Sequence, residues 1–224
     1  TLSSSSAASD VYKRQIKNIW YNITTMQNFK QYISEGTKGL TIFDIDDTMF
    51  KTKAKVEVKK DGKVVKVLSP KQFNTYKLGR GEDYDFGQFK SAKLFKQTAV
   101  PIGKMIQKFK AILKNAVKKG SDVVLVTARA DMDDKELFLS TFRSHGINID
   151  QSHIYRAGNI GGSSASAKAK VFKKFLDTGD YKRVRLFDDD DSNLEALLSL
   201  KPDYNDIDFE AWKANDKGRI KKVS

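Results

Sequence analysis

Two short apolar runs in this chain each stop at a cluster of aspartates. Leu40-Thr41-Ile42-Phe43 leads into Asp44-Ile45-Asp46-Asp47-Thr48, and Val184-Arg185-Leu186-Phe187 leads into Asp188-Asp189-Asp190-Asp191. Runs of this length and composition read as buried strands. Each cluster therefore falls at the carboxyl end of a strand, the edge where open parallel sheets place their ligands. Carboxylates gathered there repel one another unless a positive charge lies between them, and a hard cation such as Mg²⁺ is the usual remedy. The formal net charge of the whole chain is +13, so acid is concentrated here against the overall composition.

From Thr41 onward strand and helix patterns alternate. Val123-Val124-Leu125-Val126 reads as a second buried strand, ending at Thr127-Ala128-Arg129; Ile154-Tyr155 reads as a short third and Phe209-Glu210-Ala211-Trp212 as a last one before a basic tail. Met105, Ile106, Phe109, Ile112, Leu113 and Val117 recur at helical spacing, with Pro101 expected at the first helical position and Gly120 as the stop. Helices are also expected from about Asp134 to His145, over Ala167–Leu176 and over Asn193–Leu200. The pattern is that of an α/β fold with a parallel sheet, interrupted once after the first strand. Within the interruption, Asp61-Gly62 between β-branched runs predicts a hairpin over Lys55–Leu68.

The composition removes several chemistries. With no Cys there is no disulfide, thiolate metal site or cysteine nucleophile, and two His leave no imidazole-rich metal site. No apolar run approaches the roughly 18 residues that cross a bilayer, so a soluble, cytoplasmic protein is expected. What remains is carboxylate, lysine and hydroxyl chemistry assisted by a cation. Residues 1–25 are expected to be a non-native or disordered leader, because Asp10-Val11-Tyr12-Lys13-Arg14-Gln15 resembles a translated transposon end used in sequencing libraries. The natural protein is then expected to start at Met26, with a short helix over Gln27–Ile33 and one domain over 26–224; an ordinary amino-terminal tail is the other reading.

Taken in order, a strand ending in Asp-x-Asp-x-Thr, a strand ending in Thr127, a helix headed by Lys168 and a strand ending in Asp188-Asp189 resemble the haloacid dehalogenase (HAD) phosphohydrolase superfamily. The resemblance covers 26–212 in outline. It implies a Rossmann-like doubly wound parallel sheet with a small cap inserted after the first strand, over about 51–99, and a Mg²⁺-dependent phosphatase. By the resemblance, Asp44 is the nucleophile that forms an aspartyl-phosphate, and Asp46 is the general acid and then the base. Thr127 hydrogen-bonds the phosphoryl group, and Lys168 neutralises nucleophile and phosphate. Lys170 competes for that last role, but only Lys168 stands three and four residues before the hydrophobic pair Val171-Phe172. The implied metal ligands are Asp44, Asp46 through its backbone carbonyl, and Asp189 supported by Asp188. Asn193 stands where many members have Asp. Thr48 and Arg129 are candidate substrate contacts, and for Arg129 a structural salt bridge is the competing role. Asp190 and Asp191 read as solvated residues of a helix start.

The resemblance extends to HAD-like proteins of large tailed bacteriophages, which implies host cytoplasm as the location and nucleotide or nucleic-acid end metabolism as the setting. The insertion carries lysines throughout, among them Lys59, Lys60, Lys63 and Lys66, with aromatics interleaved. Such a surface suits backbone phosphates and stacked bases, although the same aromatics could form the insertion's own small core. Three functions follow. The first is a phosphatase acting on a nucleotide or another small phosphoester. The second is a polynucleotide 3′-end phosphatase, and the third a non-catalytic nucleic-acid-binding protein on the same scaffold.

Overall fold

The computed structural model describes residues 38–73 and 75–223. The expected leader, the start at Met26 and the helix after it lie outside the described residues. In chain order, β1 (Gly39–Phe43) is followed by an insertion made of β2 (Phe50–Lys51), β3 (Val56–Lys60), β4 (Lys63–Leu68), α1 (Pro70–Phe73), β5 (Glu82–Asp85), α2 (Gly87–Lys90), α3 (Ala92–Thr98) and β6 (Val100–Pro101). The chain continues through α4 (Gly103–Lys118), β7 (Asp122–Thr127), α5 (Lys135–Ser144), β8 (His153–Arg156), α6 (Ser164–Leu176), β9 (Arg183–Asp188), α7 (Asp191–Leu198), β10 (Asp208–Ala214) and β11 (Ile220–Lys222).

Six of these strands form one sheet in the order β11-β10-β9-β1-β7-β8, parallel throughout except at β11. Strand periodicity sorts the side chains onto two faces. Phe43, Val123, Leu125 and Phe187 pack with Met105, Phe109 and Leu113 of α4 and Phe138 and Phe142 of α5. Leu40, Ile42, Val124, Val126, Val184 and Leu186 pack with Val171, Phe172 and Leu176 of α6 and Leu194 and Leu197 of α7. Helices thus cover both faces, as buried parallel strands require. The chain winds outward from β1 through β7 to β8, then returns to β9 and β10 on the other side. The direction reverses between β1 and β9, the crevice where doubly wound sheets bind ligands. The strand order is compatible with a Rossmann-like fold.

Among the described residues the expected strands and helices are present, with differences at their ends. Pro101 does not open α4. It lies in β6 opposite Phe50 of β2, where a two-stranded antiparallel stem asks little of its missing N–H, and the helix starts at Gly103. The basic tail contains β11, antiparallel to β10 through Trp212–Lys222 and Ala214–Ile220 pairs. The hairpin turns at Asp61 and Gly62, both at positive φ (48° and 75°), as a two-residue turn matched to strand twist demands.

A third strand, β5, joins the hairpin to give the order β4-β3-β5. Its sequence, Glu82-Asp83-Tyr84-Asp85, has little intrinsic strand preference. Cross-strand charge compensates: Lys59 and Lys60 of β3 lie opposite Asp83 and Glu82, and Lys59 also bonds Asp85. Val56, Val58 and Leu68 gather Phe73, Tyr76, Tyr84 and Phe89 into a small core of the insertion's own. Among the described residues no helix is long and apolar enough to cross a membrane.

Candidate metal and catalytic site

Asp44 is the first residue beyond β1, and Asp188 closes the neighbouring β9. Parallel pairing of Gly39–Phe43 with Arg183–Phe187 brings the two acidic clusters side by side, and the Asp44 N–H donates to the Phe187 carbonyl at 2.9 Å. Lys168 arrives from the other direction, in the second turn of α6. That helix starts where the Ser163 hydroxyl accepts the Ser166 N–H. Lys168 is 1% exposed, and its ammonium donates to Asp44 Oδ1 at 2.7 Å and to Asp188 Oδ2 at 2.8 Å. Lys170, the competing lysine, is exposed on the same helix.

Asp44, Asp188 and Asp189 each offer a carboxylate oxygen, and these oxygens lie within 4.8 Å of one another. Ligands on opposite sides of a hard cation, bound at 2.0–2.6 Å, stand about 4–5 Å apart, so the spacing suits one shared ion. Three carboxylates against one ammonium leave an excess of negative charge. Two unit charges 4 Å apart repel by about 4 kcal/mol at an effective dielectric near 20, and the protonation equilibria register it. Burial pushes the Asp44 carboxyl well above its ordinary range; Lys168 opposes this, while Asp188, Asp189 and Asp46 add to it. Burial, then Asp188 and Asp47, push Asp189 up to about 7 against the Thr48 hydrogen bond and Lys168. For Lys168, burial disfavours the charged form, but Asp188 and Asp44 outweigh it and raise its pKa. An all-oxygen donor set with unbalanced negative charge could hold a hard cation such as Mg²⁺, for which Asp44, Asp188 and Asp189 would be the side-chain ligands.

Asp188 is held in place by more than Lys168. The Asn193 amide donates to both of its oxygens, at 3.0 and 3.1 Å, and the Asp190 N–H donates to Oδ1 at 3.0 Å. Asn193 is buried in the first turn of α7 and serves as a brace for a carboxylate. Its spacing from Asp188 was the only signal for it in the sequence. Asp190 caps α7 by accepting from Ser192, and Asp191 pairs with Lys213, so both act at the helix start as their position predicts.

Four further candidates fall around the cluster rather than in it. Thr48, expected to meet substrate, is fully buried and donates to Asp189 Oδ1 at 3.1 Å. Thr127, also buried, accepts the Arg129 N–H at 3.2 Å. Asp46 keeps its carboxylate out of the cluster. Arg129 grips it with both arms, Nε to Oδ2 at 2.8 Å and Nη2 to Oδ1 at 2.6 Å, and Thr52 donates to Oδ1 at 2.9 Å. Arg129 is therefore a buried structural cation here and not a free substrate contact, since its remaining arm donates to the Phe89 carbonyl at 2.8 Å. The roles of Thr52 and Phe89 had no signal in the sequence; one is an isolated hydroxyl, the other a backbone group.

Gly158 explains how the loop after β7 keeps its course. A Cβ at this position would lie 2.7 Å from the Ala130 nitrogen and 2.7 Å from the Arg129 carbonyl carbon, closer than real side chains approach. Arg156, at the end of β8, pairs with the exposed Asp131 at 3.3 Å. No protein-family model matches the chain, and neither does any curated protein.

Proposed function

We propose that this protein is a Mg²⁺-dependent phosphohydrolase of the HAD type, acting through an aspartyl-phosphate on Asp44, with a nucleotide or another small phosphoester as substrate. One observation carries the reading: Asp44, at the switch point of the sheet, shares Lys168 with Asp188 and shares a cation-sized space with Asp188 and Asp189. A merely structural cluster of buried acids has no reason to keep unbalanced negative charge at the ligand edge of the fold.

In this reading an Asp44 oxygen attacks phosphorus, the bond to the leaving oxygen breaks, and that oxygen takes the proton carried by Asp46, which enters this step as the neutral carboxylic acid and leaves it as the carboxylate. Asp46 then takes a proton from water as the water attacks the aspartyl-phosphate, which restores free Asp44 and releases phosphate. Lys168 holds the Asp44 carboxylate in place and offsets charge on the phosphoryl oxygens. A bound Mg²⁺ supplies the charge neutralisation that lets an anionic nucleophile approach an anionic phosphate. The segment from β2 to β6 is read as the small cap, because it is tied to the loop after β7, beside Asp46.

A small cap leaves an open mouth, and the exposed lysines of the β3–β4 hairpin keep a phosphorylated nucleic-acid end as the second substrate class. The aromatics argue against it, since Phe73, Tyr76, Tyr84 and Phe89 pack on the insertion's own core. The test is a panel of nucleotides, sugar phosphates and 3′- or 5′-phosphorylated oligonucleotides, each with Mg²⁺ and with excess EDTA. Turnover that needs Mg²⁺ and vanishes in Asp44→Asn is expected; full activity in EDTA sinks the mechanism.

A further inference from the structure

Arg129 joins two segments that lie far apart in the chain. Its guanidinium takes both oxygens of Asp46 at 2.8 and 2.6 Å, and its third arm takes the carbonyl of Phe89, in α2 of the insertion, at 2.8 Å. The planar fork of an arginine fixes the plane of a carboxylate as well as its distance. The rings of Phe89 and Phe95 stand 5.1 and 4.8 Å from the guanidinium carbon and shield it from water. Asp133, in the same loop as Arg129, ties down the same stretch of the insertion. It accepts the Ala92 N–H at 2.7 Å and donates its own N–H to the Lys90 carbonyl at 2.9 Å.

We infer that Arg129 is the positioning residue for Asp46, and that docking of the α2–α3 segment against the loop after β7 sets that position. The inference rests on the phosphatase reading, in which Asp46 delivers a proton to the leaving oxygen. Such a proton transfer needs hydrogen-bond reach, and it matters most when the leaving group is poor. Arg129 reaches neither phosphorus nor the leaving oxygen in this scheme and acts only through the Asp46 oxygens it holds. A salt bridge kept for stability alone would, when lost, slow good and poor leaving groups alike. A salt bridge that aims Asp46 would, when lost, penalise the poor one.

The experiment compares the wild type, Arg129→Lys and Asp133→Ala with Mg²⁺ on p-nitrophenyl phosphate and on glycerol phosphate. Lysine keeps the charge but loses the fork. Asp133 is exposed, so its replacement removes the Ala92 bond and leaves Arg129 in place. In Arg129→Lys, kcat on the alkyl ester is expected to fall at least about ten-fold more than kcat on the aryl ester, with KM little changed. Asp133→Ala is expected to show the same bias to a smaller degree. Equal losses on both esters, or none, overturn the inference and leave the phosphatase reading standing. A wild type that turns over neither ester overturns both. If Arg129→Lys does not fold, the ratio in Asp133→Ala decides alone.

Discussion

Asp44 and Lys168 stand 124 residues apart in the chain and meet at 2.7 Å in the interior, with Asp188 completing the bridge on the far side of the ammonium. The contact joins the first strand of the sheet to a helix on one of its faces. Around it the protein separates its acids into two kinds, those with unbalanced charge and those fully paired.

Asp44 and Asp46 are expected to respond to the same substitution with opposite sign. Asp44→Asn removes an anion that burial and three neighbouring carboxylates disfavour, so the metal-free protein should melt higher at neutral pH while losing the proposed phosphatase activity. Asp46→Asn leaves the buried Arg129 without its counter-charge. Breaking a buried pair from one side costs about 3–5 kcal/mol, so that variant should melt lower. Thermal melts in EDTA on both variants check the pair, and the same sign for both would remove the distinction drawn here.

Mg²⁺ should stabilise the protein more as pH rises. The carboxyl groups of Asp44 and Asp189 are raised above their unfolded values, Asp189 to about 7. A raised carboxyl contributes stability below the unfolded value, near pH 4, and loses it as pH climbs through the folded one. The metal-free protein should therefore weaken between about pH 4 and 7, and added Mg²⁺ should offset that loss. The upward shift in melting temperature on adding Mg²⁺ is expected to be small at pH 5 and larger at pH 8. A shift that is flat across this range argues against the ion sitting among these carboxylates.

Gly158→Ala should be costly and Gly103→Ala should not. The first would force a Cβ against the Arg129–Ala130 backbone, whereas the second, at the start of α4, meets nothing within 4 Å and has no positive φ. A loss of about 1–3 kcal/mol is expected for the former, and a gain of about 0.4–1 kcal/mol for the latter. Denaturant melts of the two variants measure both.

Nucleic-acid binding through the hairpin should be weak. Lys59 is bonded to Asp85 and Lys66 stands over the Tyr76 ring at 4.5 Å, so two of the four hairpin lysines already have partners. A mononucleotide should be turned over far better than a phosphorylated strand end. If a short single strand instead binds with a log–log salt slope near −0.7 per phosphate, and Lys60→Ser with Lys63→Ser flattens it, the strand-end reading takes precedence.

The sheet and the carboxylate cluster were legible because both rest on strong local signals. Apolar runs of strand length stop at Asp44, Thr127 and Asp188, and a parallel sheet puts all such ends on one edge. Lys168 was singled out only through the resemblance, whose lysine stands at this spacing from a hydrophobic pair such as Val171 and Phe172. The rest depended on contacts that sequence order conceals. β5 is acidic and becomes a strand only opposite Lys59 and Lys60. Pro101 looks like a helix start until Phe50 is known to face it. Thr48 and Arg129 are polar residues in an expected site, and the sequence does not reveal that Asp189 and Asp46 already occupy them. The interleaved aromatics of the insertion fit a stacking surface or a small core equally well by sequence, and only the structure shows Val56, Val58 and Leu68 collecting four of them.

The wiring of the acidic cluster also dictates an order of assembly. Thr48 and its partner Asp189 are separated by 141 residues, and β1 cannot gain its β9 neighbour until that length of chain has been synthesised. A nascent chain carrying only the first cluster has neither Lys168 nor Asp188 to organise it. Pairings that close such long loops form late and slowly. The three carboxylates therefore come within reach of one another only with the central pairing of the sheet, and a half-made chain emerging during translation presents a strand end with a single acidic cluster.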